Sequence, residues 1–103
     1  MALKLPIDRE KIAEFCRRWK IVEFALFGSV VREDFGAESD IDALVTFAPD
    51  ARWGLFDVVR MQEALEKILG RKVDLVERKA VEQSENYIRR KHILREAQVV
   101  YVA

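Results

Sequence analysis

The residues Asp40–Phe47 (DIDALVTF) place Ile41, Ala43, Val45 and Phe47 on one side of an extended chain and Asp40, Asp42, Leu44 and Thr46 on the other. A helix repeats its faces every ~3.6 residues, so strict alternation of this kind reads as a strand. Such a strand must bury one whole face. It also carries two carboxylates on the same side of its start. Any sheet that contains it needs a second layer against the apolar side.

The rest of the chain offers those layers. Asp8 is placed to cap a helix that begins at Arg9, and Ile12, Phe15, Cys16 and Trp19 follow at i, i+3, i+4 and i+7 as one apolar stripe. Ile21–Phe27 (IVEFALF) is short, β-branched and aromatic, and ends at Gly28, which predicts a strand. Residues 29–34 are expected to open a short helix directly from that glycine, and residues 35–39 a loop in which the Ser39 hydroxyl caps or orients the start of the next strand. Pro49 and Gly54 bracket a second loop. Residues 55–69 predict a strong helix with a broad apolar face of Leu55, Val58, Val59, Met61, Leu65, Ile68 and Leu69, stopped by Gly70. Trp53, Leu55 and Phe56, at the start of this helix, are expected in the core, with an exposed Trp53 as the alternative anchor for a partner. Residues 72–77 read as a third strand, residues from about 85 to 95 as a helix, and the closing AQVVYVA as an edge strand. The order α-β-α-β-α-β-α-β predicts an α/β (α+β) fold, a small mixed β-sheet flanked by helices.

At 103 residues the chain reads as one domain, 1–103, with no internal linker. Eighteen Lys and Arg balance eighteen Asp and Glu, which argues against a protein whose main business is coating nucleic acid. The balance is uneven: residues 1–70 carry 10 bases and 13 acids, residues 71–103 carry 8 bases and 5 acids. The lone cysteine, Cys16, excludes an internal disulfide and a cysteine-based zinc site, and its helical spacing marks it as a buried structural thiol. No apolar run approaches the ~18 residues of a membrane span, and the first residues lack the apolar stretch of a signal peptide. A cytoplasmic protein with no membrane partner is expected.

The chemistry concentrates in Gly28-Ser29, ten residues, then Asp40-Ile41-Asp42. A glycine that ends a strand and opens a helical turn lets a phosphate approach the backbone, where free N–H groups and the positive dipole end lie; Ser29 adds a hydroxyl. Two carboxylates on one strand face repel each other, and a hard divalent cation is the natural compensation. Mg²⁺ prefers a few carboxylates plus phosphate oxygens, and a metal pair can activate an attacking hydroxyl and stabilise a leaving pyrophosphate. Asp74, in Val73-Asp74-Leu75-Val76, faces away from its apolar neighbours and joins the other two acids if its strand lies beside residues 40–47. It would then be the group that receives the proton of the attacking hydroxyl. The bland alternative makes Gly28-Ser29 a simple turn and Asp40 a cap. His92, the sole histidine, lies in an Arg89–Arg95 basic run and is expected to be a surface residue; the run itself reads as a solvated helix face, or as a contact for triphosphate or an acidic partner.

FGSVVREDFGAESDIDALVTF resembles the signature of the DNA polymerase β-like nucleotidyltransferase superfamily, and more closely that of the small stand-alone MNT (minimal nucleotidyltransferase) proteins, whose hallmark GSx10DxD is matched by Gly28, Ser29, Asp40 and Asp42. The leading helix, LFDVVRMQEALEKILGRKVDLV and ILREAQVVY also resemble those proteins, so the similarity covers almost the whole chain. It implies the polymerase β-like fold, with Asp40 and Asp42 binding Mg²⁺, Gly28 and Ser29 holding nucleotide phosphates, and Asp74 as the superfamily's third acid. Arg32 matches the family and would pair with phosphate or with an acid of its own loop; Glu33 departs from it, standing where members often carry glycine. The resemblance further implies an antitoxin that binds a HEPN-domain ribonuclease toxin and transfers AMP from ATP to a tyrosine hydroxyl of that toxin. Two alternatives stay open: an antitoxin that neutralises by binding alone, and a nucleotidyltransferase acting on a small molecule or on RNA.

Overall fold

A computed structural model describes residues 7–31, 36 and 40–103. Among the described residues eight helices and strands follow one another: α1 (Arg9–Arg18), β1 (Ile21–Phe27), β2 (Ile41–Phe47), α2 (Leu55–Leu69), β3 (Val73–Glu77), α3 (Arg78–Glu82), α4 (Tyr87–Glu96) and β4 (Gln98–Val102). A 3₁₀ turn, Gly28–Val31, leaves β1 directly. The sheet has the order β3-β2-β1-β4, with β2 parallel to β3 and β1 antiparallel to both β2 and β4. This is the mixed sheet with flanking helices that the alternation of elements implied, with β4 at the expected edge.

Local chemistry accounts for the boundaries. The Asp8 carboxylate accepts hydrogen bonds from the Glu10 and Lys11 amides at 3.1 and 3.2 Å, which satisfies two of the orphan donors at the start of α1. Gly70 closes α2 in the left-handed region at φ 70°, donating its N–H to the Glu66 carbonyl at 2.7 Å. The Glu66 side chain also accepts from the Val73 amide at 3.0 Å. Helix end and strand start are therefore tied together across the Gly70 turn.

The sheet separates two unequal cores. On one face, α1 and α2 bury Ile12, Phe15, Cys16, Met61 and Leu65 against Phe24, Leu26, Ile41, Ala43, Val45 and Val73. Phe15 and Phe24 meet edge to face with ring centroids 6.5 Å apart. On the other face, α3 and α4 bury Val81 and Ile93 on Ala25, Phe27 and Leu44, with the partly buried Leu94 of α4 packed beside them. The apolar side of β2 lies in the larger core, as its alternation required, and Asp42 lies on the side of the smaller one.

Two expectations need correction. The apolar face of α2 is narrower than its composition implies: Met61 and Leu65 are buried, whereas Leu55 is 78% exposed and Val59 48%. At about 100° per residue, Leu55 and Val59 fall roughly 120° and 160° around the helix from Met61, outside the stripe that reaches the sheet. Phe56, at 81% exposure, is also outside the core, while Trp53 is half-buried, donating its indole N–H to the Trp19 carbonyl at 2.9 Å and packing edge-on to the Trp19 ring. The second correction is α3, a five-residue helix that the sequence pattern did not reveal. Its Val81 is buried, and its Arg78 pairs with Glu23 at 3.1 Å and with Glu82 one turn on at 3.3 Å.

Cys16 is fully buried, and desolvation pushes its thiol up to about 12, with Arg17 opposing weakly. Folding thus favours the protonated thiol. The resulting stabilisation is complete below the ordinary cysteine value and is lost as pH rises through that value toward about 12. Cys16 should accordingly resist an aromatic disulfide reagent in the native protein and react fully in denaturant; native reaction at the rate of a free thiol would contradict its burial. Leu65→Ala should cost about 2–5 kcal/mol in urea unfolding, and Leu55→Ala within about 0.5 kcal/mol of zero.

Candidate active site

The site begins where β1 ends. Phe27 pairs with Asp42 across the antiparallel ladder, and the next residue, Gly28, turns the chain at φ +75°. A side chain at Gly28 would be strained by that backbone and would also collide with Asp42: an added Cβ would overlap the Oδ2 atom and sit 3.1 Å from Cγ. Glycine is required here because the Asp42 carboxylate occupies the space. Val30 and Val31 are buried and anchor the 3₁₀ turn, leaving Ser29 half-buried between them and Gly28.

The third acid is delivered by the sheet. In the parallel pair, Ile41 aligns with Val73, Asp42 with Asp74 and Ala43 with Leu75. Partners in a ladder project to the same face, so Asp42 and Asp74 stand beside each other on the side opposite the larger core. The condition attached to Asp74, that its strand neighbour Asp40–Phe47, is met. Asp40 lies just before β2 and is exposed, as is Asp74, while Asp42 is half-buried. Among the described residues no group of three or more His, Cys, Asp or Glu forms a ready-made metal cluster. Arg32, Glu33 and Ser39 lie outside the described residues.

A cleft of about 600 Å³ opens over this point. Phe27, Gly28 and Asp42 form the wall contributed by the sheet, and Arg89 and His92 of α4 face it from the helix. Asn86 starts α4, its side chain accepting from the Arg89 amide at 3.0 Å, and Ile93 seats the helix in the smaller core. His92 Nδ1 is 3.2 Å from Glu96 Oε1, one helical turn along. The cleft therefore sets the Asp42 carboxylate against the Arg89 guanidinium and the His92 imidazole, with the Glu96 carboxylate beside His92 on the helix wall. A polyanion whose charge is shared with a divalent cation suits such an arrangement: the carboxylate side takes the cation and the basic side takes the anionic oxygens.

The placement of α4 is the part that residue patterns alone do not supply. His92 is exposed, as expected of a surface residue, but the surface it lines is the cleft. Its i+4 acid was the available signal, since His92 and Glu96 must share a helix face. The Arg89–Arg95 run is mostly exposed, in keeping with a solvated face, yet Arg89 lies in the cleft wall.

The profile of the family described as "Nucleotidyltransferase domain" matches residues 9–99. A protein from Methanocaldococcus jannaschii, provisionally named a protein adenylyltransferase, is 41% identical over 64 residues, which cover 62% of this chain and 64% of that relative. The protein adenylyltransferase MntA of Thermococcus cleftensis is 36% identical over 89 residues, covering 86% of this chain and 82% of MntA. Among solved structures, a toxin–antitoxin crystal structure with AMP-PNP aligns with a TM-score of 0.70 at 20% identity, over 94% of this chain and 75% of that one. The complex of a tri-AMPylated Shewanella oneidensis HEPN toxin with its MNT antitoxin aligns with a TM-score of 0.61 at 20% identity, over 92% and 70%. At those identities the structures establish the shared fold.

The two left-handed glycines allow the site to be tested against the fold. Gly70→Ala meets open space, with no atom within 4 Å, so it should lose only the ~1–2 kcal/mol of a left-handed non-glycine residue. Gly28→Ala should lose at least as much stability and also displace Asp42. By calorimetric titration of Mg²⁺–AMP-PNP, binding should fall at least ~10-fold in Gly28→Ala and stay unchanged in Gly70→Ala; equal binding in the two variants would contradict the cradle.

Proposed function

This chain belongs to the nucleotidyltransferase domain family, and we propose that it is a Mg²⁺-dependent protein adenylyltransferase that moves AMP from ATP onto a tyrosine hydroxyl of a HEPN-domain toxin, acting in the cytoplasm as that toxin's antitoxin. The observation that carries the proposal is the side-by-side placement of Asp42 and Asp74, with Asp42 filling the space over Gly28. Support for the acceptor and the partner comes from the names and subjects of the relatives. Support for the nucleotide comes from the cleft chemistry and the AMP-PNP neighbour.

Hard oxygen donors on adjacent strands fit Mg²⁺, and two or three carboxylates leave its remaining positions to phosphate oxygens and water. Asp40, Asp42 and Asp74 would hold the metal, which supplies charge neutralisation at the transferring phosphate when bound. Gly28 and Ser29 would cradle the phosphates at the 3₁₀ turn, and Arg32, outside the described residues, is the candidate to pair with them. In the transfer itself, the tyrosine oxygen attacks the α-phosphorus. The new P–O bond forms as the bond to pyrophosphate breaks. The phenolic proton passes to the Asp74 carboxylate, and pyrophosphate leaves with its negative charge. Arg89 and His92, across the cleft, stand where they can balance that charge. AMP on the acceptor adds bulk and negative charge that would keep RNA from a ribonuclease active site.

The test is incubation of the cognate HEPN protein with this protein, ATP and Mg²⁺, followed by intact-mass measurement. Whole AMP increments should appear with the native chain and be absent with the Asp40→Ala/Asp42→Ala double variant. Neutralisation by that double variant without any added mass would overturn the enzymatic account in favour of binding alone.

A further inference from the structure

On the sheet face away from the cleft, a groove of about 650 Å³ runs between α1 and α2. Its floor is apolar, formed by Phe15, Trp19, Ala64 and Ile68. Its rims are cationic: Lys11 and Arg18 on α1, Arg60 and Lys67 on α2, with Glu14 the sole acid lining it among the described residues. All four cations are exposed, and none pairs with an acid among the described residues. Arg18 lies over the Trp19 ring at 5.8 Å, which leaves its charge available at the groove edge.

The spacing indicates what fits. Lys11 and Arg18 are seven residues apart, and so are Arg60 and Lys67. Seven residues are two helical turns, about 10 Å. Each wall therefore presents two positive charges at the same helical phase, two turns apart, along an apolar trough. A compact diphosphate or single carboxylate reaches one such charge or two neighbouring ones, never both ends of both rails. An amphipathic helix with an apolar stripe along its axis and acidic residues spaced two turns apart on each flank meets all four. Glu14, facing into the same groove, disfavours a phosphodiester chain; Phe15 is only 5% exposed and the Trp19 ring already meets Trp53 and Arg18, so neither ring offers a base an open face to stack on. We propose that the α1–α2 groove is a docking site for an acidic amphipathic helix of a partner protein. Because the groove and the cleft lie on opposite faces of the sheet, an occupied groove leaves the cleft open.

A fluorescein-labelled helical peptide of about five turns, with leucines at i, i+3, i+4 and i+7 and glutamates two turns apart on both flanks, is the probe. Fluorescence anisotropy should show saturable binding to the full chain that weakens as salt is raised. Arg18→Glu/Arg60→Glu should reduce affinity at least ~10-fold. Thermal melts monitor folding, and the milder Arg18→Gln/Arg60→Gln should give an intermediate loss. Binding of the same peptide with lysines in place of glutamates, or indifference to the Arg18/Arg60 substitutions, would overturn the proposal. So would a single-stranded RNA probe that binds through the same four cations, or a light-scattering mass showing a dimer that these substitutions dissociate. None of these readouts depends on nucleotide transfer.

Discussion

The in-register parallel pairing of β2 with β3 is the constraint on which the site depends. It aligns Asp42 with Asp74 and sends both away from the larger core. A slip of one residue would turn Asp74 into that core and Val73 out of it, exchanging a buried aliphatic side chain for a buried carboxylate at a cost of several kcal/mol. The register is held at one end of the pair: Ile41 donates its amide to the Lys72 carbonyl at 2.9 Å, Glu66 accepts from the Val73 amide at 3.0 Å, and Gly70 turns the chain in the left-handed region. Residues remote from the acids in function thus fix their geometry.

The two faces of the sheet divide the work. The α1–α2 face holds the larger core and most of the stabilising burial; side chains such as Ile12, Phe24 and Leu65, all fully buried, contribute roughly 1.5–3 kcal/mol each. The other face carries a thin core, and Ile93 alone is buried in α4. A helix with so little apolar anchorage can spend the rest of its surface on charge, and Arg89 and His92 do so beside Gly28 and Asp42. The chain's uneven charge distribution takes spatial form here, with the basic C-terminal helix opposite the acidic strand starts.

Period-two alternation, helical stripes and caps made β1, β2, α1 and β4 legible from residues alone. They did so because each of those elements is long enough to show its period or is bounded by Asp8, Gly28 or the chain's closing run. α3 was not legible, since five residues with a single buried valine carry no period. The face of α2 was overread because apolar residues at Leu55 and Val59 lie outside the arc that one sheet can cover. In the site, Gly28, Ser29, Asp40 and Asp42 are local in sequence and stood out as a motif. Asp74 was legible as outward-facing but only conditionally as a neighbour, because strand order is a property of topology. The placement of α4 depends on tertiary packing, Ile93 and Leu94 against the smaller core, which no spacing rule contains.

The central proposal, that Asp40, Asp42 and Asp74 hold a nucleotide-bound divalent ion beside Gly28, is tested most directly by anomalous diffraction from crystals grown with Mn²⁺ and AMP-PNP. A manganese peak contacting the Asp42 carboxylate, on the face shared with Asp74, with the triphosphate along the Gly28–Val31 turn and Arg89 toward its far end, is the predicted result. Manganese bound elsewhere, or AMP-PNP seated outside the cleft between β2 and α4, would contradict the account.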